Sequence, residues 1–330
     1  MTGAGSNPDT AQLLQAGGAH IPSALAAVEQ LLAEAGLGSG AILEGHARAT
    51  ISAGGKRLRP LLVLLVAGRP DREATARRLE RAAAAVELIH SATLVHDDVL
   101  DGAVLRRGQP TVVARGGREM ATAAGDLLFA RAFALLAEDS DPAPVRTLSE
   151  ACSGLALGEL LQRADAWDPT VTLERYLLRC ELKTARLFEA ACRLGSGGAG
   201  DVDLTGFGRD IGLAFQVLDD VLDVSGPAER TGKQPGTDLL DGTITLPFIL
   251  ARERDAQLAQ LDPREITTAA QAQEVCERIA ATGALDAARE RALGFVHRAQ
   301  QLLGARAEQL GAERHDALAL VADGVVRRYS

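Results

Sequence analysis

Three aspartates within five residues, Asp97, Asp98 and Asp101, form the string DDVLD, and the same string returns at Asp219, Asp220 and Asp223. Residues four apart share a helix face, so the first and fifth members of each string project side by side, one turn apart. Like charges placed that way repel. Each string also follows an apolar run, LIHSATLV in the first case and FQVL in the second, so a cation is expected to join the carboxylates. Oxygen ligands without His or Cys at ligand spacing favour Mg²⁺, which prefers a few carboxylates completed by waters and the oxygens of a bound polyphosphate. The same chemistry speaks against zinc, and His96 beside Asp97 is expected to support or pack rather than to ligate. It also speaks against an EF-hand calcium loop, because these aspartates lie in helix without the glycine-turn spacing. All six, Asp97, Asp98, Asp101, Asp219, Asp220 and Asp223, are candidate metal ligands. Basic groups supply the complement. GGKRLRP places Lys56, Arg57 and Arg59 at a helix start, where free backbone N–H groups also attract anions, and RRGQPT places Arg106 and Arg107 just past the first acidic string.

The elements that must hold these groups read as helices. Apolar residues recur at i, i+3, i+4 and i+7 through alanine-rich stretches, giving helices over about 21–36, 44–67, 72–101, 118–138, 144–165, 172–195, 202–224, 238–254, 264–282, 284–304 and 307–328. No alternating strand competes with them. Loop chemistry falls at Gly68-Arg69-Pro70, Gly108-Gln109-Pro110, 139–144, 195–200 and 226–236, and none of these is long enough for an interdomain linker. The expectation is a loose tail over residues 1–20 and a single all-α domain over 21–330.

Composition narrows the function classes. With 330 residues, 47% hydrophobic and 24% charged, the chain can bury a substantial core, which excludes wholesale disorder and disulfide scaffolds. A net charge of −9 argues against a nucleic-acid partner. The longest apolar run, Leu61–Ala67, is far short of the roughly 20 residues that span a bilayer. MTGAGSNPDT has neither the basic start nor the apolar core of a signal peptide, and Cys152, Cys180, Cys192 and Cys276 show no metal-type spacing, so the expected compartment is the cytoplasm with reduced, buried thiols. Of 35 basic residues only Lys56, Lys183 and Lys233 are lysine. A chain that otherwise uses arginine retains a compact ammonium at three places, and a point charge differs most from a planar fork where it meets phosphate.

Together, GGKRLRP, LIHSATLVHDDVLDGAVLRRGQPT, GDLLFARAF, ELKTA, FQVLDDVLD, the GK of TGKQPGTDL, and TLP, in this order over residues 54 to 247, resemble the trans-isoprenyl diphosphate synthases, of the medium- and long-chain polyprenyl type. The resemblance implies a large helical bundle around a central substrate tunnel. It implies Mg²⁺ ions on Asp97, Asp101 and the 219–223 cluster bridging an allylic diphosphate, with Lys183, Thr184, Gln216, Lys233 and Arg106 around it. Isopentenyl diphosphate would lie near Gly55, Lys56, Arg59, His90 and Arg107. The implied reaction is head-to-tail, all-trans elongation, with Asp97, Asp98, Asp101, Lys183, Asp219 and Asp220 as catalytic residues. The partners it implies are the two substrates, a second copy of the chain as a homodimer, and at most a peripheral membrane for product release. One departure is visible: many relatives read GKxTLP where this chain has Gly242-Thr243-Ile244-Thr245-Leu246-Pro247, which removes one possible phosphate contact.

Stepping back from Asp97 by helical turns gives Thr93, Ile89, Val86 and Ala82, the expected wall of the tunnel, with about 5.4 Å per turn. Short-chain members of the resembled family place an aromatic residue four or five positions before the first aspartate, where this chain has Thr93 and Ala92. The wall residues Val86, Ile89, Ala92 and Thr93 thus imply a product longer than C20. The alternatives are a geranylgeranyl diphosphate synthase, a class I terpene cyclase, which has no need of the second diphosphate site around GGKRLRP, and the noncatalytic subunit of a heteromeric synthase.

Overall fold

The computed structural model describes residues 8–52, 55–106, 108–199, 202–226 and 235–327. They are almost entirely helical: α1 (Pro8–Ala16), α2 (His20–Glu34), α3 (Ala41–Ser52), α4 (Leu58–Ala67), α5 (Glu73–Asp101), α6 (Val112–Ala137), α7 (Ala143–Ala164), α8 (Leu173–Cys180), α9 (Arg186–Ala199), α10 (Thr205–Ser225), α11 (Thr237–Leu240), α12 (Leu246–Arg252), α13 (Ala256–Gln260), α14 (Ala269–Ala281), α15 (Ala284–Ala305) and α16 (Ala307–Arg327). The strands among the described residues are a two-residue antiparallel pair, β1 (Leu105–Arg106) and β2 (Gln109–Pro110). Contacts divide the chain into two compact units. The first runs to Cys152 and adds Leu187–Thr205 and Leu302–Val321; the second holds Ser153–Arg186, Gly206–Gln301 and the residues from Ala322.

In the first unit α5 is the central element, packed by α2, α4 and α6. Its residues 82–89 are buried without interruption, and the run Ala82–Ala85 lets neighbouring helices approach closely. A glycine ends it: Gly102 takes φ 61°, and the backbone N–H groups of Gly102 and Ala103 both return to the Asp98 carbonyl, closing the helix one residue after the last aspartate of DDVLD. The chain then turns through the β1–β2 pair. Thr111 starts α6 by accepting from the Ala114 N–H at 3.1 Å and donating to the Ala103 carbonyl at 2.6 Å. α6 bends at Gly117, and by length and composition it could cross a membrane, although Arg118, Glu119, Asp126 and Arg131 are spread along it and it packs on α3 and α5.

Several expected elements differ. Part of the segment expected to be a loose tail is α1, with Leu13 buried. The single helix expected over 44–67 is two, because the chain turns at Arg57, which has φ 48° and ψ 34°. That left-handed conformation costs a residue with a Cβ ~1–2 kcal/mol. The helix expected over 172–195 widens into a π turn, Glu181–Ala185, between α8 and α9. In the second unit the helix expected over 238–254 is interrupted between α11 and α12, where Thr245 is extended and Pro247 occupies the first turn of α12. There the chain's one tryptophan, Trp167, takes φ 64°, donates its backbone N–H to the Gly242 carbonyl at 2.8 Å and lays its indole against the Gly242 backbone.

Two glycines give opposite expectations. A Cβ at Gly195 in α9 would stand 2.5 Å from the Val63 carbonyl oxygen of α4 and 2.8 Å from the Val66 Cβ, while one at Gly294 in α15 would meet nothing within 4 Å. Gly195→Ala should therefore destabilise by ~1–3 kcal/mol through overpacking, and Gly294→Ala should stabilise by about 0.5–1 kcal/mol through helix propensity, both read by denaturation.

Candidate active site

The two DDVLD strings fold into the same division of labour. In α5, Asp97 is half-buried and Asp101 exposed on one face, whereas Asp98 is only 4% exposed and is gripped by Arg106, whose Nε and terminal nitrogen both lie 2.8 Å from Asp98 Oδ1. In α10, Asp219 is exposed and Asp223 half-buried, whereas Asp220 is 4% exposed. Asp220 accepts from the Tyr176 hydroxyl at 2.6 Å and from Gln216 Nε2 at 2.8 Å. Asp98 and Asp220, expected with the others as metal ligands, are the two members of the strings whose carboxylates are buried, and a buried carboxylate is tolerated only with partners such as these within the protein. The accessible pairs are Asp97 with Asp101 and Asp219 with Asp223. Asp223 also accepts from the Asp238 backbone N–H at 3.1 Å, tying the start of α11 to α10.

Burial pushes the Asp220 carboxyl up, the nearby Asp238 charge pushes the same way, and Tyr176, Gln216 and Arg179 oppose them, leaving it at about 7. Gln216 is fixed from its other end, because Thr184 Oγ1 donates to its Oε1 at 2.6 Å. Thr184, Gln216, Asp220 and Tyr176 thus form one hydrogen-bonded chain. Lys183, beside Thr184 in the π turn, is ion-paired with Glu159 of α7. Burial would raise Glu159, but the Lys183 and Arg163 charges outweigh it and hold the carboxyl below its usual range. α7 reaches this turn closely at Gly158, where a Cβ would lie 2.5 Å from the Lys183 backbone nitrogen. A π turn of this kind frequently marks a functional site, since it re-aims side chains within a continuous helix.

In the first unit the basic loop reads differently residue by residue. Gly55 and Lys56 are exposed, and the Arg59 guanidinium lies over the Phe188 ring, 4.4 Å from its centre. Arg57 points its charge at Glu29 and Glu87. His90 is half-buried and lines a cavity of about 530 Å³ with His46, Asp98, Arg106 and Arg115. Arg107 and Lys233 lie outside the described residues. Of the expected tunnel wall, Val86, Ile89 and Ala92 are fully enclosed by neighbouring groups, and Thr93 alone keeps accessible surface, donating its hydroxyl to the His90 carbonyl at 2.8 Å. Thr93 is thus the member of the expected wall with surface open to a ligand.

Sequence reasoning did not single out Tyr176, Glu159, Glu29 or Glu87. The scarcity of lysine flagged Lys183 without its acid, and nothing local to Tyr176 signals a partner 44 residues away. Among the described residues, no three of His, Cys, Asp and Glu converge as a ready-made metal cage. Two accessible carboxylates per string suit a hard cation that keeps waters and ligand oxygens, so the donor set fits Mg²⁺.

The raised Asp220 carboxyl has a defined pH signature. A folded-state value near 7 against an ordinary 3.8 favours folding fully below 3.8, and that contribution is lost as the pH rises through about 7. Metal-free protein should lose stability relative to Asp220→Asn over that interval, as read by thermal melts; a pH-independent difference would contradict the raised carboxyl.

Comparison with known proteins agrees with this geometry. The Polyprenyl synthetase family model matches residues 41–281. The heptaprenyl diphosphate synthase component 2 of Geobacillus stearothermophilus is 40% identical over 79% of this chain and 83% of its own length. The all-trans-nonaprenyl-diphosphate synthase (geranyl-diphosphate specific) of Rhodobacter capsulatus is 36% identical over 86% of this chain and 90% of its own. Among solved structures, the polyprenyl synthase of Caulobacter crescentus CB15, complexed with calcium and isoprenyl diphosphate, superposes with a TM-score of 0.87 at 34% identity, covering 100% of both chains. With most of its length matched, both aspartate strings included, the chain belongs to the polyprenyl synthetase family.

Proposed function

We propose that the protein is a Mg²⁺-dependent prenyltransferase that condenses an allylic diphosphate with isopentenyl diphosphate, head to tail and all-trans, to a polyprenyl diphosphate longer than C20. The observation that carries this reading is the repeated accessible pair, Asp97 with Asp101 and Asp219 with Asp223, in a chain similar to heptaprenyl and nonaprenyl diphosphate synthases. Residues 21–330 act in this reading as one catalytic domain, in the cytoplasm; four cysteines outside any disulfide are consistent with a reducing compartment.

The two accessible pairs would hold Mg²⁺, which supplies positive charge for the oxygens of the departing diphosphate. Lys183 supplies a further cationic group for that leaving group, and the attraction grows as the C–O bond breaks and negative charge collects on it. Lys183 exchanges its contact with Glu159 for one with phosphate. Thr184 and Gln216 orient the adjoining turn of α10 through their hydrogen bond. Lys56, Arg59 and His90 hold the diphosphate of isopentenyl diphosphate, placing its double bond for attack on C1 of the allylic cation. A proton then leaves the new cation, with the released pyrophosphate as its acceptor, and the chain is five carbons longer. Exclusion of water protects the cation.

The same aspartate pairs argue against a noncatalytic subunit, and the basic loop at Lys56–Arg59 argues against a terpene cyclase. A homodimer is the assembly we favour: only about a third of the most apolar part of α6 is buried within the chain, leaving an apolar face for a second copy. A relative called component 2 makes a heteromer the competing assembly, separable by light scattering of the purified chain.

The test is mass spectrometry of products formed from isopentenyl diphosphate, Mg²⁺ and dimethylallyl, geranyl, farnesyl or geranylgeranyl diphosphate. The expected result is a ladder ending beyond four isoprene units; arrest at four makes the protein a geranylgeranyl diphosphate synthase, and no condensation contradicts the assignment. Asp97→Asn and Asp219→Asn should each lower turnover by about 100-fold or more with melting temperature unchanged or raised, since each removes an accessible charge repelled by its neighbour. Thr93→Phe should shorten the product, and an unchanged product distribution would take this face of α5 out of chain-length control.

A further inference from the structure

Arg57 lies between two residues assigned to substrate yet is committed elsewhere. Its side chain is 11% exposed, and its donors are taken by four acceptors: Glu29 Oε1 at 2.7 Å, Glu29 Oε2 at 3.2 Å, Glu87 Oε1 at 2.8 Å and the Ile51 carbonyl at 3.0 Å. Burial would weaken its charge, but the two carboxylates outweigh that and hold its pKa above the ordinary value. One guanidinium thereby ties together α2 through Glu29, the last turn of α3 through Ile51, and α5 through Glu87. Glu87 is 5% exposed and stands one turn before His90. The backbone at Arg57 pays for this grip with φ 48°, and among the described residues only Trp167 shares a positive φ without being glycine. A strained conformation persists where surrounding structure over-determines it, and such sites concentrate where geometry matters to function.

We propose that Arg57 is a positioning residue for the homoallylic substrate: clamped by Glu29 and Glu87, it locks the left-handed turn that sets Lys56 and Arg59 against the diphosphate of isopentenyl diphosphate, in register with His90. This rests on the elongation reading above. A lysine cannot substitute, because a single ammonium cannot span Glu29, Glu87 and the Ile51 carbonyl as the planar fork does. Arg57 and Glu87 border the cavity that His90 lines, and in this proposal Arg57 acts by fixing the spacing of the groups that hold the diphosphate, whose misplacement by about 1 Å can cost ~100-fold.

The experiment compares steady-state constants for both substrates in the full-length protein carrying Arg57→Gly, Arg57→Lys, Glu29→Gln or Lys56→Ala. Glycine accepts the left-handed turn without strain but removes the fork, so Arg57→Gly separates the clamp from the backbone preference. Arg57→Gly and Arg57→Lys should raise KM for isopentenyl diphosphate by about tenfold or more while KM for the allylic primer and kcat stay within about twofold. Glu29→Gln, at the half-exposed end of the clamp, should move the same KM in the same direction with the fold intact, and it decides the matter if Arg57→Gly does not fold. A uniform fall of both specificity constants, or no change in either KM, overturns the positioning role. If Lys56→Ala raises KM for isopentenyl diphosphate and the clamp variants do not, only the positioning role fails; if Lys56→Ala also leaves it unchanged, the substrate assignment of the loop fails.

Discussion

Mutual repulsion among carboxylates is the constraint on which the site depends. Three ionised aspartates within five helical residues cannot share one apolar environment, and each DDVLD string solves this by separation. The second member goes inward and is neutralised by the protein: Asp98 by a guanidinium, Asp220 by a phenol, an amide and a raised pKa. The first and fifth members stay accessible, where a cation would relieve their repulsion. The buried member then does a second job, because Asp98 anchors the arginine that follows α5 and Asp220 anchors Gln216 and, through it, Thr184 of the π turn.

The basic groups obey the complementary rule. Guanidinium groups with planar forks are used internally, where several acceptors must be met at once: Arg57 on two glutamates and a carbonyl, Arg106 on Asp98. The two described lysines, Lys56 and Lys183, stand at the loop before α4 and in the π turn, and Lys183 is held by one exchangeable glutamate. An ammonium that must change partners suits a site that fills and empties, whereas a fork suits a permanent clamp.

What was legible in the sequence was local. Helix periodicity, the i, i+4 pairing of Asp97 with Asp101 and of Asp219 with Asp223, and the family motifs are all contained within a few turns. Burial of Asp98 and Asp220 was not, because a string of identical residue types looks the same whichever member turns inward, and the deciding partners Arg106 and Tyr176 lie 8 and 44 residues away. The break between α3 and α4 was missed because the residue adopting the left-handed turn is an arginine rather than one of the glycines before it. The burial of Val86, Ile89 and Ala92 was not legible either, because helical stepping says which residues share a face and not how closely α2, α4 and α6 pack on it.

The contact between Trp167 and Gly242 has a spectroscopic consequence. The chain has a single tryptophan, so its red-edge-excited emission comes from one indole, and that indole rests on the backbone immediately before Thr243. The native protein therefore carries its own optical reporter at the start of the TLP segment, with no competing chromophore of its kind elsewhere in the chain.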